Sequence, residues 1–210
     1  MREGGLVKRV SGRSVRRRLV THSLLAVYVG AVLSGCGTGA KNDTFDLSAA
    51  LVEGGASAKS RQLLVPDPTA IKLLDSEQVV VRVSSSEVGY LSRAQWSDRL
   101  PSMVQARLVE AFENTGRLGG VGRPGQGLAI DYQLVSDIRA FEIDTSGPNR
   151  ANVEISVKLL NDRNGTVKAQ QVFRASVPTS GSQNSAFISA LDRAFAKVTA
   201  DIVNWTLTAI

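Results

Sequence analysis

Cys36 is the only thiol in the chain and follows directly on Leu33-Ser34-Gly35. That tripeptide ends an apolar run of 15 residues, Leu19 to Leu33, which itself follows the cluster Arg13, Arg16, Arg17 and Arg18. A basic segment, a short apolar segment and small residues before a cut site make a secretory signal. The run falls short of the roughly 20 apolar residues that span a bilayer, which argues against a transmembrane helix that happens to hold a cysteine. With no second cysteine, the Cys36 sulfur has no disulfide partner within the chain.

Leu33-Ser34-Gly35-Cys36 resembles the lipobox of bacterial lipoproteins. The resemblance implies cleavage between Gly35 and Cys36, a diacylglyceryl group on the Cys36 sulfur and a third acyl chain on its new amino group. One acyl chain gives only marginal, reversible binding, on the order of 10⁴ M⁻¹, and stable anchoring takes two signals. Three chains on Cys36 therefore predict a permanent membrane anchor. Arg16-Arg17-Arg18 before Leu19-Val20 also resemble a twin-arginine export signal, so the export route stays open. Gly37, not Asp, follows the cysteine. In Gram-negative lipoproteins an Asp there resembles an inner-membrane retention signal, so its absence favours the outer membrane, on the periplasmic face, with inner-membrane retention still open.

Removing the leader changes what the composition says. The whole chain has 25 basic and 19 acidic side chains, net +6. Residues 1–35 hold seven of the basic residues and one acid, so the remaining 175 residues carry 18 of each. A neutral mature chain exerts no global pull on phosphate backbones, and no nucleic-acid partner is expected. His22, the single histidine, leaves with the leader. Ser-His-Asp and Cys-His nucleophile systems and His-based metal sites go with it. No catalytic residue, cofactor or metal is expected.

Two other stretches could carry chemistry. Gly119 to Gly127 is glycine-rich, but a phosphate-cradling loop needs a strand before it and a helix after it, and here the predicted order is reversed. Asp131, Asp137, Glu142 and Asp144 lie on or near one predicted strand. They read as a solvated face rather than as a glycosidase pair, which must converge from two elements.

The elements around these residues are read from periodicity. Gly37 to Asp43 reads as a flexible tether of at most about 24 Å. Ser48 to Ser60 reads as a loop. Gln62-Leu63-Leu64-Val65 is a short strand stopped by Pro66-Asp67-Pro68, and Gln78 to Val83 is a strand with Val79, Val81 and Val83 on one face. Ser84 to Trp96 reads as a loop in which Tyr90, Leu91 and Trp96 cap the sheet edge or the helix start, as most aromatics are core-packed, or else, with Arg93, are candidate partner-binding residues, since aromatic anchors dominate interfaces. A helix follows, capped by Asp98, tolerating Pro101, ended by Gly116, with Leu100, Val104, Leu108, Ala111 and Phe112 as its apolar stripe. Leu118 to Gly127, with five glycines and a proline, reads as a loop.

Three strands come next. Ile130, Tyr132, Leu134 and Ile138 share a phase that Phe141 and Ile143 do not, which predicts a bulge near Arg139-Ala140. Val153 to Leu159 alternates, Asp162-Arg163-Asn164-Gly165 signals a hairpin, and Val167 to Val177 returns. A closing helix from about Ser185 to Leu207 carries Phe187, Leu191, Phe195, Val198, Ile202 and Trp205. The predicted fold is α+β: an antiparallel sheet of about four to five strands with two helices packed on one face, in the order β-α-β-β-β-α. The domain plan is a removed signal peptide at 1–35, a lipidated cysteine with tether and loop at 36–60, and one domain at 61–210.

Leu63-Leu64-Val65, Gln78 to Val83, Tyr90-Leu91 and Gln95 to Leu100 are similar to the ABC-type transport auxiliary lipoprotein component family. Asp131 to Leu134, Ile138 to Phe141, Val172-Phe173-Arg174, Ala190-Leu191 and Trp205 extend the likeness over roughly residues 60–207. A departure is Phe45-Asp46-Leu47, where the family more often has Tyr before a variable residue and Leu. The resemblance implies a non-enzymatic lipoprotein partner of an ABC transporter built around mammalian-cell-entry-type (MCE) ring proteins. Its partners would be the ring or tube protein, the permease and the ATPase, with a lipid or other hydrophobic cargo. Self-association stays open. The alternatives are a lipid-binding carrier with an apolar pocket between helices and sheet and, further off, an envelope hydrolase.

Overall fold

The computed structural model describes Met1 and residues 42–210 apart from Glu53 and Leu128. Gly35 and Cys36, the expected cleavage and acylation residues, lie outside the described residues. In chain order, β1 (Asp43–Phe45), β2 (Ala58–Leu64), β3 (Thr69–Ala70), β4 (Gln78–Arg82) and β5 (Val88–Trp96) precede α1 (Leu100–Thr115). Then come β6 (Leu118–Gly122), β7 (Tyr132–Asp144), β8 (Arg150–Asn161), β9 (Val167–Pro178) and α2 (Asn184–Ala209).

The strands form one nine-stranded sheet of mixed direction. This overturns the expected antiparallel sheet of about four to five strands with two helices packed on one face. β7 explains the difference. One of its edges pairs antiparallel with β8 along its whole length, and β8 pairs antiparallel with β9. Its other edge receives β2, β3 and β4 in succession, all parallel: Leu63 opposite Tyr132, Thr69 opposite Asp137, Val80 opposite Glu142. Pro66-Asp67-Pro68 separates the first two of these strands, because proline has no N–H to continue a ladder. Alternation within a segment shows which face is wet. It does not show which distant segment lies alongside, or in which direction.

Three further expectations change. Leu118–Gly122 is not loop but β6, parallel to β2 with Val121 opposite Leu63. Its glycine content follows from close approach, since a Cβ on Gly119 would lie 2.4 Å from the Lys59 carbonyl oxygen. Val88–Trp96 is likewise a strand rather than a loop, antiparallel to β4 and parallel to β1. The fold also begins before residue 61: Asp43–Phe45 pairs with β5, Leu47 and Ala50 are buried, and the Ser48 amide donates to Asp192 Oδ1 at 2.7 Å.

The helices and the β7 bulge follow the sequence pattern closely. In α1 the stripe Leu100, Val104, Leu108, Ala111 and Phe112 is buried. Gly116 ends that helix at φ 58°, a left-handed conformation that glycine takes without a Cβ clash. The N-cap is Arg99, not Asp98; the Asp98 carboxylate instead accepts from the Arg99 amide at 2.6 Å. In α2 the residues Phe187, Leu191, Phe195, Val198 and Ile202 are buried, while Trp205 is half-buried with its ring edge-on to Phe173 at 5.6 Å. The β7–β8 register slips between Ile138 and Ala140, where the phase change predicts a bulge.

The core holds Trp96, Phe141 and Phe195 in a row, with ring centroids 5.8 Å and 5.7 Å apart. Each is fully buried. Burying an aromatic of this size contributes about 2–3 kcal/mol.

Candidate functional site

The four carboxylates singled out from the sequence follow one another along β7, and three of them hold the short parallel strands to it. Asp131, just ahead of β7, accepts the Gln62 amide of β2 at 3.0 Å and the Arg163 guanidinium at 3.1 Å. Asp137 accepts the Thr69 hydroxyl of β3 at 2.9 Å. Glu142 accepts two bonds from Arg82 of β4, Nε to Oε1 at 2.5 Å and Nη2 to Oε2 at 2.9 Å. Asp144 accepts the Ser146 hydroxyl at 2.7 Å and the Ser146 amide at 2.9 Å.

The expected solvated face is therefore wrong for Glu142, which is 6% exposed. Its charge is tolerated because a guanidinium matches both oxygens. The same bonds, with the pull of the carboxylate charge, raise the Arg82 pKa above its ordinary value. The Ser146 hydroxyl, followed by the Ser146 amide, holds the Asp144 carboxyl below the usual carboxylate range. These groups lie in sequence on one strand, each engaged by a fixed donor. A glycosidic pair instead faces its partner across a cleft. Among the described residues, no group of three or more His, Cys, Asp or Glu is placed to hold a metal ion.

The candidate partner-binding residues divide. Trp96 is 1% exposed and packs edge-on to Phe141, so it belongs to the core and not to a surface. Leu91 is half-buried against that core. Tyr90 and Arg93 are exposed. Tyr90 opens a bulge and Arg93 lies within it: β5 advances from Tyr90 to Gln95 while its partner β4 goes only from Val80 to Gln78. Arg93 has φ 56° and, among the described residues, is the one non-glycine with a positive φ. A branched or long side chain in this region costs roughly 1 kcal/mol or more. The Asn184 side-chain amide at the start of α2 donates to the Ser92 carbonyl at 2.9 Å and holds the bulge in place.

Sequence reasoning missed Val83 and Val88. Both are exposed apolar residues on the hairpin that joins β4 to β5, Val88 two residues before Tyr90 and Val83 just past the end of β4. The alternation Val79, Val81, Val83 groups Val83 with the buried Val79 and the half-buried Val81. The serines at 84–86 are the signal that the strand has already ended there.

A groove of about 460 Å³ lies across β7, β8 and β9, lined by Arg139, Ser156, Lys158, Gln170, Gln171 and Val172. Ser156, Lys158 and Gln170 belong to the face turned away from the buried Val157 and Phe173. The groove is polar, and it is on the wrong side of the sheet for an apolar pocket under the helices.

A nine-stranded mixed sheet, two helices and an exposed bulge on β5 define the module. The family described as ABC-type transport auxiliary lipoprotein component matches residues 45–203, and the chain belongs to that family. An uncharacterized protein of Bradyrhizobium diazoefficiens is 31% identical over 179 residues, covering 85% of this chain and 48% of its own length. The chain thus spans about half the length of this curated relative. The crystal structure of protein XCC0632 from Xanthomonas campestris superposes with a TM-score of 0.73 at 29% identity, covering 80% of this chain and 96% of that one. A second crystal structure, of an uncharacterized protein, shares the fold at TM-score 0.64 and 16% identity, over 79% and 99% of the two chains. Among the described residues no helix is long and apolar enough to cross a membrane.

Proposed function

We propose that this protein is a non-enzymatic lipoprotein subunit of an ABC-type transport system for lipids or other hydrophobic molecules. It is anchored through acylated Cys36 at the periplasmic face of the outer membrane and docks on an MCE-type ring or tube protein. The observation that carries the reading is the family match across residues 45–203, placed just behind a lipobox-like Leu33-Ser34-Gly35-Cys36. The packed row Trp96, Phe141, Phe195 supports an adaptor over a lipid carrier, because it occupies the space between α2 and the sheet where a carrier would keep a pocket. ATP hydrolysis and membrane passage fall to a separate ATPase and permease.

The test is affinity capture of the tagged full chain from detergent-solubilised envelopes. The reading expects a ring protein, a permease and an ATPase to co-purify. Recovery of the protein alone, or steady turnover of a substrate by the purified chain, would overturn it.

A further inference from the structure

We propose that the end of the sheet bearing Tyr90, Val88, Val83 and Arg93 rests on the surface of the bilayer in which Cys36 is anchored. This rests on the reading of Cys36 as the acylated residue.

Strand direction supplies the first argument. β1 runs parallel to β5, with Asp43 opposite Ala94 and Phe45 opposite Trp96. β1 therefore enters the sheet from the side of Arg93 and Tyr90, not from the side of α1. Six residues lie between Cys36 and Asp43, seven Cα–Cα steps that reach at most about 24 Å. Tyr90 lies four residues before Ala94 on β5, at most about 13 Å along the strand. An acylated Cys36 thus holds the bilayer within about 24 Å of Asp43, and Tyr90 stands four residues back along the neighbouring strand.

Composition supplies the second. Tyr90, Val83 and Val88 are 51%, 45% and 39% exposed, large apolar side chains gathered on one hairpin. The Val83 amide donates to the Glu87 carbonyl at 2.9 Å, which closes the hairpin and holds both valines at its tip. Tyrosine suits a membrane interface, with an apolar ring and a hydroxyl that stays wet. Arg93 is exposed, makes no ion pair among the described residues and is presented by the bulge beside Tyr90. Arginine adds attraction to phosphate headgroups while its stem stays in apolar contact. Glu87 at the tip opposes anionic lipid, so the contact relies on the apolar side chains with Arg93 as a single headgroup donor.

The experiment uses the mature acylated protein reconstituted into phosphatidylethanolamine–phosphatidylglycerol vesicles containing spin-labelled lipid. Cys36 is blocked by its acyl group, so Tyr90→Cys provides a single site for an environment-sensitive fluorophore. Val88→Cys is an independent second site, and Gln170→Cys in the polar groove is the control. The proposal predicts quenching by the spin-labelled lipid at positions 90 and 88 at least threefold stronger than at 170. Equal quenching at all three, or none at 90 and 88 in protein that floats with the vesicles, would overturn it. So would shielding at 90 that appears only when envelope proteins are added, which would make the patch a protein contact. Protein that fails to float and shows a bare Cys36 thiol would overturn the anchor itself, and this proposal with it.

Discussion

Arg82 and Glu142 meet across the β4–β7 pairing in a two-pronged ion pair, with the Glu142 side chain 8% and the Arg82 side chain 33% exposed. β4 gains only a few ladder bonds from its short parallel run on β7, so this side-chain clasp fixes its register. Glu142→Ala leaves Arg82 without its partner and is expected to cost about 2–3 kcal/mol, with Glu142→Gln costing less because an amide oxygen still accepts. Urea unfolding of the two variants measures the difference.

Gly119 and Gly120 are neighbours with opposite tolerance. Gly119→Ala drives a Cβ to 2.4 Å from a backbone oxygen of β2, whereas a Cβ on Gly120 meets the Gln62 side chain at 3.5 Å. Gly119→Ala is expected to destabilise by about 1–3 kcal/mol through displacement of β6. Gly120→Ala is expected to be neutral or stabilising by about 0.5 kcal/mol, because it restricts the unfolded chain. Thermal melts of both variants decide the point.

Arg93 pays for its backbone conformation. Arg93→Gly is expected to raise stability by about 0.5–1 kcal/mol and Arg93→Ile to lower it by about 1 kcal/mol or more, since only glycine occupies positive φ without Cβ strain. Chemical denaturation reports the stability. In the vesicle system Arg93→Gly should also weaken contact at position 90, which separates a surface role from a purely local strain.

Acid should reveal Asp144. Its carboxyl is held below the ordinary range by the Ser146 hydroxyl and amide. A depressed folded pKa means that the associated stability is fully present above the unfolded value, at neutral pH. It is lost as pH falls through the lower folded value. Ser146→Ala removes the stronger of the two bonds, so the variant should start less stable at neutral pH. It should also lose less on acidification between about pH 5 and pH 2. Urea midpoints across that range give the comparison.

The elements most legible in the sequence are those with long, uninterrupted periodicity. The stripe from Leu100 to Phe112, the stripe from Phe187 to Ile202, the bulge at Arg139 and the hairpin at residues 162–165 each follow from local pattern alone. Leu63-Leu64 gives no local sign that Tyr132-Gln133 lies parallel beside it, because parallel partners are joined by long connections. Glycine at 119 reads as a loop until the Lys59 carbonyl is seen against it. Glu142 alternates like any solvated acid, and its burial depends on Arg82, sixty residues earlier. Tyr90 and Arg93 are exposed on β5, and that β1 runs parallel beside that strand is visible only in the pairing of the two.

The measurement that tests the central claim most directly is intact-mass and peptide mass spectrometry of the protein extracted from membranes. The account predicts a chain that begins at Cys36, carries a diacylglyceryl group on sulfur and an acyl chain on its amino group, and leaves the membrane fraction when Cys36→Ala is made in cells lacking its partners. A chain with the Gly35–Cys36 bond intact and a bare thiol, or a Cys36→Ala variant still held in the membrane of those cells, would contradict it.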